Sequence, residues 1–430
     1  MTTARHLAHL LRGTWFRRLF AVRVTSQFAD GVFQVALASY VIFSPERQPS
    51  PGAIAGALAV VLLPFSVLGP FVGVLLDRWS RRQVLAVSNF VRVALVAVLA
   101  LGVSAGLFGP FVLVLVLACL SINRFLLAGL SASLPHVVDP PDLIMANAVT
   151  PTAGTLAALT GVSAGTVGTM VWSRLSALDS DVAVLIAAAV LYGVAGALAL
   201  RIPRAMLGPS YVHERPAARE AAKHVARGLV DGLRHLGGRR PAAHGLMTIG
   251  AHRFFFGIST VMLILMHRNY FSPGDADAAF NGLAVAVLVS GAGFVTAALV
   301  TPFITERVTL RTWILVLLGA AAVTQVVPGA LLTERALLVS SFFLGLASQG
   351  IKICVDTLVQ AGVDDVYRGR VFALYDVVFN VAFVAAAAAA AVVLPASGRS
   401  RGVLVAIAVG YVVTALGYAR VSRVGGAARE

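Results

Sequence analysis

Apolar runs long enough to cross a bilayer, separated by short polar connectors, fill almost the whole of this chain. A spanning helix needs ~20 mostly apolar residues. In the first part of the chain the runs of that length are Leu19–Phe43, Ala53–Leu76, Gln83–Ala105, Phe108–Leu130, Ala146–Val171 and Val182–Leu200. After a polar break they are Ala242–Met266, Phe280–Ile304, Thr312–Leu332, Ala336–Val359, Val371–Leu394 and Gly402–Ala419. The pattern predicts an all-α membrane protein with about twelve transmembrane helices in two pseudo-symmetric six-helix halves. The halves occupy residues 1–200 and 241–430, and residues 201–240 form a cytoplasmic linker. Within the linker Val225, Leu229, Leu233 and Leu236 recur at helical spacing among Arg215, Arg219, Lys223, Arg227 and Arg234. Such spacing suits an amphipathic helix lying on the membrane surface, and equally a solvated linker helix.

Composition points the same way. Charged residues make up 12% of the chain and apolar residues 58%, and the mean hydropathy is +0.87. A soluble domain carries about twice that share of charge, so lipid has to be the outer solvent. The net charge of +15 would suggest a nucleic-acid partner in a soluble protein. Here the basic residues sit in connectors, where the positive-inside rule accounts for them, and no nucleic-acid partner is expected. With the N-terminus inside, cytoplasmic segments collect Arg5, Arg12, Arg17, Arg18, the linker cluster, Arg307, Arg311, Arg368, Arg370, Arg420 and Arg423. The outer loops keep Arg47, Arg174, Arg268, Arg335, Arg399 and Arg401. Both termini are therefore expected in the cytoplasm, with the chain in the plasma membrane. The connector Leu134–Met145 runs against this bias, with Asp139 and Asp142 and no Lys or Arg. Cys119 and Cys354 fall inside apolar runs and read as packing residues, not a disulfide. The first apolar run is too long for a signal peptide and reads as a helix.

Charged side chains inside spans are the sharper signal, because each costs a few kcal/mol at the bilayer centre and has to be housed in protein or a wet cavity. Asp30 lies in the middle of the first span, with Gln27 and Gln34 close to its face; Arg92 lies in the third and Arg124 in the fourth. His252 and Arg253 are mid-span in the seventh. Lys352 and Asp356 are four apart in the tenth and can pair on one face. Asp376 and Asn380 repeat that spacing in the eleventh. Arg92 reads as a pairing partner and Asp376, close to the inner surface, as part of a gate. Lys352 with Asp356 is either a structural ion pair or a functional one. Asp30 reads as a lone carboxylate among Phe28, Ala29 and Val32, able to take up and release a proton as its surroundings change. His252 is the second proton-coupling candidate, opposed by the adjacent charge of Arg253.

The connector Gly73-Val-Leu-Leu-Asp77-Arg78-Trp-Ser-Arg81-Arg82 joins the second and third spans. It resembles motif A of the major facilitator superfamily, which stands between the second and third helices of that family. A worn copy, Pro302-Phe-Ile-Thr-Glu306-Arg307-Val-Thr-Leu-Arg311, aligns with it in the second half, and the same register sets Asn123-Arg124 opposite Lys352-Ile353. The start Leu143-Ile-Met-Ala-Asn147-Ala of the fifth span, followed by Gly154, Gly161, Gly165 and Gly168, resembles the exporter branch containing siderophore and macrolide efflux proteins. Val162 stands where that branch has a proline. The glycines four apart, Gly161 and Gly165, suit close helix packing. Arg368-Gly369-Arg370-Val-Phe at the entry to the eleventh span resembles the same branch.

The resemblance implies two halves with a site between them near the bilayer midplane. It puts the first, fourth, seventh and tenth helices around a cavity, so that Asp30, Gln27, Gln34, Arg124, Arg253, Lys352 and Asp356 face substrate or proton. It implies a gate in which Asp77 meets the start of the eleventh helix and Arg78, Arg81 and Arg82, with Glu306, Arg307 and Arg311 in the copy, hold the cytoplasmic side. A basic topology anchor is the plainer reading of the same loop. The expected function is export of a small amphipathic molecule by proton antiport with alternating access. The alternatives are an uptake symporter or facilitator, or a lipid translocase on the same fold. No phosphate-binding loop, zinc spacing or nucleophile motif supports an enzyme. The expected energy source is the proton gradient with no cofactor, and the expected state is a monomer.

Overall fold

The computed structural model describes residues 9–37, 50–56, 79–107, 110–175, 180–208, 230–327 and 329–424. Every long element among them is helical. In chain order they are α1 (Thr14–Leu37), α2 (Arg81–Ser104), α3 (Pro110–Ser133), α4 (Leu143–Leu175) and α5 (Ser180–Leu200). These are followed by α6 (Arg240–Met266), α7 (Ala276–Thr305), α8 (Leu310–Val326), α9 (Glu334–Gly362), α10 (Asp365–Val393) and α11 (Arg401–Val424). Nine of the described helical stretches are long and apolar enough to cross a membrane, and Leu310–Val326 is a shorter apolar helix. Helix α1 takes in the first predicted span as far as Leu37, residues 38–43 lying outside the described residues, but begins five residues earlier and includes Arg17 and Arg18. Most of the second predicted span lies outside the described residues, so α2 is the third span. Of the linker pattern, Val225 and Leu229 lie outside the described residues. Residues 230–238 are helical, with Leu236 buried and Leu233 exposed.

Helix starts follow local chemistry. Ser80 accepts from the Gln83 amide at the start of α2, Asp275 from Ala278 in α7, Thr309 from Thr312 in α8 and Thr333 from Ala336 in α9. Each satisfies an amide that the helix itself leaves open.

Two compact units divide the chain. The first draws on Met1–Phe43, Val67–Arg234 and Asp364–Asp376, the second on Ser44–Ser66, His235–Val363 and Val377–Glu430. Helix α10 thus begins in one unit and continues in the other. In the first unit α1 packs on α4 and α5, and α2 packs on α3 and α5. In the second, α7 packs on α9, α8 on α9 and α11, and α6 on α9 and α11. The tightest crossings need glycine: a Cβ on Gly161 of α4 would overlap the Phe28 carbonyl of α1, and one on Gly345 of α9 would overlap the Ser290 carbonyl of α7. Gly165 packs directly on Val35. Gly161 and Gly165 thus stand where α4 approaches α1 closely.

Large apolar side chains stand exposed along the outer faces, among them Leu101 of α2, Val190 of α5, Leu288 and Leu299 of α7, and Val413 and Leu416 of α11. A water-soluble surface would not tolerate such stripes, whereas hydrocarbon solvates them. Cys119 and Cys354 are buried free thiols.

Candidate functional site

Two large apolar clusters stand out among the described residues of the first unit. One gathers Phe33, Val96, Leu99, Val116, Leu185 and Tyr192, the other Phe16, Leu19, Leu85, Leu126, Leu130 and Leu207. Beside these clusters α1 and α2 bury polar side chains. Ser26 and Asp30 from α1, Asn89 and Arg92 from α2, and the Tyr192 hydroxyl from α5 meet there. Arg92 Nη2 forms an ion pair with Asp30 Oδ1, and Tyr192 donates its hydroxyl to the same oxygen at 2.8 Å. Gln27 Nε2 donates to Asp30 Oδ2 at 2.5 Å. Arg92 also donates to the Ser26 hydroxyl at 3.0 Å, and its guanidinium lies 3.7 Å over the Tyr192 ring. Ser26 donates in turn to Asn89 at 3.0 Å.

Asp30 is therefore not the lone carboxylate that the sequence suggested. Its neighbours within α1 are apolar, but its partners come from α2 and α5, which helical spacing along one segment cannot reveal. The pairing role expected of Arg92 is the one the structure has. Arg92 is 1% exposed and Asp30 6%, so the pair is taken out of solvent and held by several hydrogen bonds, the condition under which a buried pair is tolerated. Gln27 joins the site. Gln34, one turn beyond Asp30, is exposed.

A second polar cluster surrounds Asp365, the first residue of α10. Its Oδ1 accepts from Arg81 at 3.0 Å, from His136 at 2.9 Å and from Arg368 at 2.8 Å. Arg81 is fully buried and also donates to the carbonyls of Ala132 at 2.9 Å and Leu207 at 3.1 Å. A carboxylate at a helix N-terminus is favoured by the open amides there. The acidic connector that opposed the inside-positive pattern is part of the same face: its His136 binds Asp365, and its Asp142 bonds His9 at 2.7 Å. Arg82 is half-buried beside Arg81. Gly73, Asp77 and Arg78 lie outside the described residues. Asp376 is half-buried on α10, three turns beyond Asp365.

In the second unit His252 is buried on α6, its Nδ1 3.3 Å from the Tyr411 hydroxyl and its ring against Phe256. The guanidinium of Arg253 lies 4.2 Å from the ring centroids of both Phe379 and Phe383, a setting worth ~0.5–2 kcal/mol for each face-on contact. Lys352 pairs with Asp356 at 2.5 Å on one face of α9, as their spacing predicts. Arg124 on α3 is half-buried. In the copy of the connector, Glu306 and Arg307 are exposed. Arg311 donates to Ser422 at 2.6 Å and to the Ala419 carbonyl at 2.9 Å, and so ties the start of α8 to the end of α11.

Tyr192, Ser26, Asn89, His136 and Asp365 were not singled out by the sequence. A phenol in mid-span and an acid opening a helix are the signals that could have found Tyr192 and Asp365.

The family comparison agrees with this architecture: the model of the Major Facilitator Superfamily aligns with residues 19–387. The chain belongs to the major facilitator superfamily. An uncharacterized MFS-type transporter of Mycobacterium bovis is 36% identical over 388 residues, covering 90% of this chain and 86% of that protein. A Mycobacterium tuberculosis MFS-type transporter shows the same figures. Solved structures agree on the fold. A bacterial homologue of the iron transporter ferroportin in the outward-facing state gives a TM-score of 0.69 at 14% identity, covering 95% of this chain and 99% of that one. The human organic anion transporter MFSD10 gives 0.68 at 14%, over 94% and 99%. The Escherichia coli fucose:proton symporter gives 0.65 at 15%, over 93% and 97%. As a member of the superfamily the protein is an all-helical membrane transporter of small molecules and not an enzyme.

Proposed function

We propose that this transporter exports a small amphipathic molecule across the plasma membrane in exchange for protons, by alternating access, with both termini in the cytoplasm. The observation that carries the reading is the Asp30–Arg92 pair. A proton arriving at Asp30 removes the charge that holds Arg92, while the Tyr192 ring and the Ser26 hydroxyl remain to receive the guanidinium. The charged and the protonated arrangements are thus both housed, as a proton-driven switch between two states requires. Gln27 positions the carboxylate. Gln34, Arg124, Arg253, Lys352 and Asp356 supply the polar contacts for substrate, and His252 is the reserve proton carrier. The driving force is the proton gradient with no cofactor, and the working unit is a monomer. The exporter-like entries to the fifth and eleventh spans favour efflux over uptake.

Inverted vesicles test this with a panel of lipophilic cations, macrolides and siderophores. Accumulation of a panel member that requires an acid interior, and collapses with a protonophore, is the expected result. Accumulation only in right-side-out vesicles under an inward proton gradient would make the protein a symporter.

The Asp365 cluster acts in this scheme as the latch of the cytoplasmic gate, with Arg81 and Arg82 and, from the same connector, Gly73, Asp77 and Arg78. Asp376, Glu306, Arg307 and Arg311 complete the gate. Asp365→Asn keeps an acceptor oxygen and removes the charge. Hydrogen bonds to charged groups are worth ~1.5–3 kcal/mol, and a loss of that size changes a two-state ratio about tenfold or more. Turnover is expected to fall by about that factor, with protein abundance near wild type. Wild-type turnover in Asp365→Asn would make the cluster a static anchor.

A further inference from the structure

A cavity of about 220 Å³ lies inside the second unit, walled by α6, α7, α8, α9 and α11. Phe256, Met262, Leu263, Leu337, Leu344 and Leu404 make most of its surface, and no charged side chain among the described residues lines it. A charged guest would lose its hydration there with nothing to replace it. Three of the five hydroxyl side chains on the wall donate to backbone carbonyls. Ser259 and Thr260 donate to the carbonyls of Phe255 and Phe256 at 3.1 and 2.8 Å, and Ser340 donates to that of Thr324 at 3.1 Å. Gln325 is different. It lines the cavity, is 2% exposed, and its Nε2 has no hydrogen-bond partner among the described residues. Buried side-chain donors are rarely left in that condition.

Size and chemistry narrow the occupant. The cavity holds roughly seven waters' share of liquid volume, but each buried water needs about 2–4 polar partners, more than these walls supply. It is also smaller than the ~300 Å³ at which drug-sized pockets begin. We infer that the cavity is a binding site for a small, uncharged, lipophilic molecule bearing one hydrogen-bond-accepting oxygen, which Gln325 Nε2 engages. The site lies wholly in the second unit and does not depend on the Asp30–Arg92 reading. Its wall residue Phe256 also touches His252, with ring centroids 5.9 Å apart, and carries Arg253 5.5 Å over its face. A guest in the cavity therefore bears on two polar residues of α6.

Benzophenone is a fitting probe: uncharged, with one carbonyl oxygen, and able to insert into neighbouring C–H bonds on illumination. The full-length protein in lipid nanodiscs is photolabelled and the modified peptides are mapped. Saturable labelling concentrated on Phe256–Leu263 and Leu337–Leu344 is expected. Dicyclohexyl ketone should displace the label at about a tenfold lower concentration than dicyclohexylmethane, which has the same shape without the oxygen, the difference expected of one buried hydrogen bond. In Gln325→Leu that preference should disappear, and Leu344→Trp, which fills the space, should remove the label from these two segments alone. Labelling spread evenly over the lipid-facing helices, or equal displacement by the two competitors in the wild-type protein, would overturn the assignment. The competition needs no variant, so it decides even if a substitution fails to fold.

Discussion

Replacing Arg92 by methionine is expected to lower the melting temperature of the purified protein by about 3–6 °C. The reason is asymmetric. Removing one member of a buried ion pair leaves the other without compensation, at a cost of ~3–5 kcal/mol, whereas exchanging both for apolar residues of similar volume is often neutral. Arg92 is 1% exposed and Asp30 6%, and the methionine would also vacate the face of the Tyr192 ring and the bond to Ser26. The double substitution Asp30→Leu with Arg92→Met should therefore recover most of the lost stability. Thermal unfolding in detergent, followed by the monodisperse fraction on size exclusion, measures both. If the single and double variants are equally unstable, or the single variant melts like wild type, the pair does not hold α1 to α2 as described.

The extent to which this molecule can be read from its sequence follows from which forces act along one helix and which act between helices. Bilayer thickness sets span length, so the described helices were legible as apolar runs, and local chemistry shifted some of their ends. Helix α8 stops at Val326, two residues before Pro328, although apolar residues continue to Leu332; proline cannot prolong a helix. Helix α1 starts before its apolar run, where Arg17 and Arg18 are long enough to reach past a hydrocarbon edge, and Arg18 bonds the Arg201 carbonyl at 2.7 Å. The Lys352–Asp356 pair was legible because both members lie on one helix.

The partners of Asp30 were not legible. They depend on α1 lying against α5 and on Arg92 of α2 reaching the same depth, and nothing in the periodicity of α1 encodes either. Asp365 was missed for a related reason. The resemblance directed attention to Asp77 and to the helix start near Arg370, whereas the described carboxylate that receives Arg81 is five residues earlier, at the first residue of α10. Gln325 carried no signal at all, since an amide in an apolar helix looks the same whether or not its donor finds a partner.

The consequence for transport is tested most directly by Asp30→Asn, which is expected to abolish accumulation against a gradient and to erase the pH dependence of flux. Asparagine has nearly the shape of aspartate and keeps an oxygen that can accept from Tyr192 and Arg92, so the polar layer should remain assembled. It cannot take up or release a proton. Removing the carboxylate's charge does leave Arg92 without its counter-ion, and arginine cannot discard its own proton. The Tyr192 ring and the Ser26 hydroxyl, both already in contact with the guanidinium, limit that cost. Substrate exchange between the two faces of a vesicle, with no gradient imposed, serves as the control for folding and should persist. The double variant Asp30→Leu with Arg92→Met offers a second route to the same point, because its stability should be near wild type while its coupling is lost. Full pH-driven export by Asp30→Asn would falsify the role given to the carboxylate and transfer it to His252, Asp356 or Asp376. Loss of passive exchange together with coupling, in a variant that melts like wild type, would instead mean that Asp30 holds the substrate path open and carries no proton.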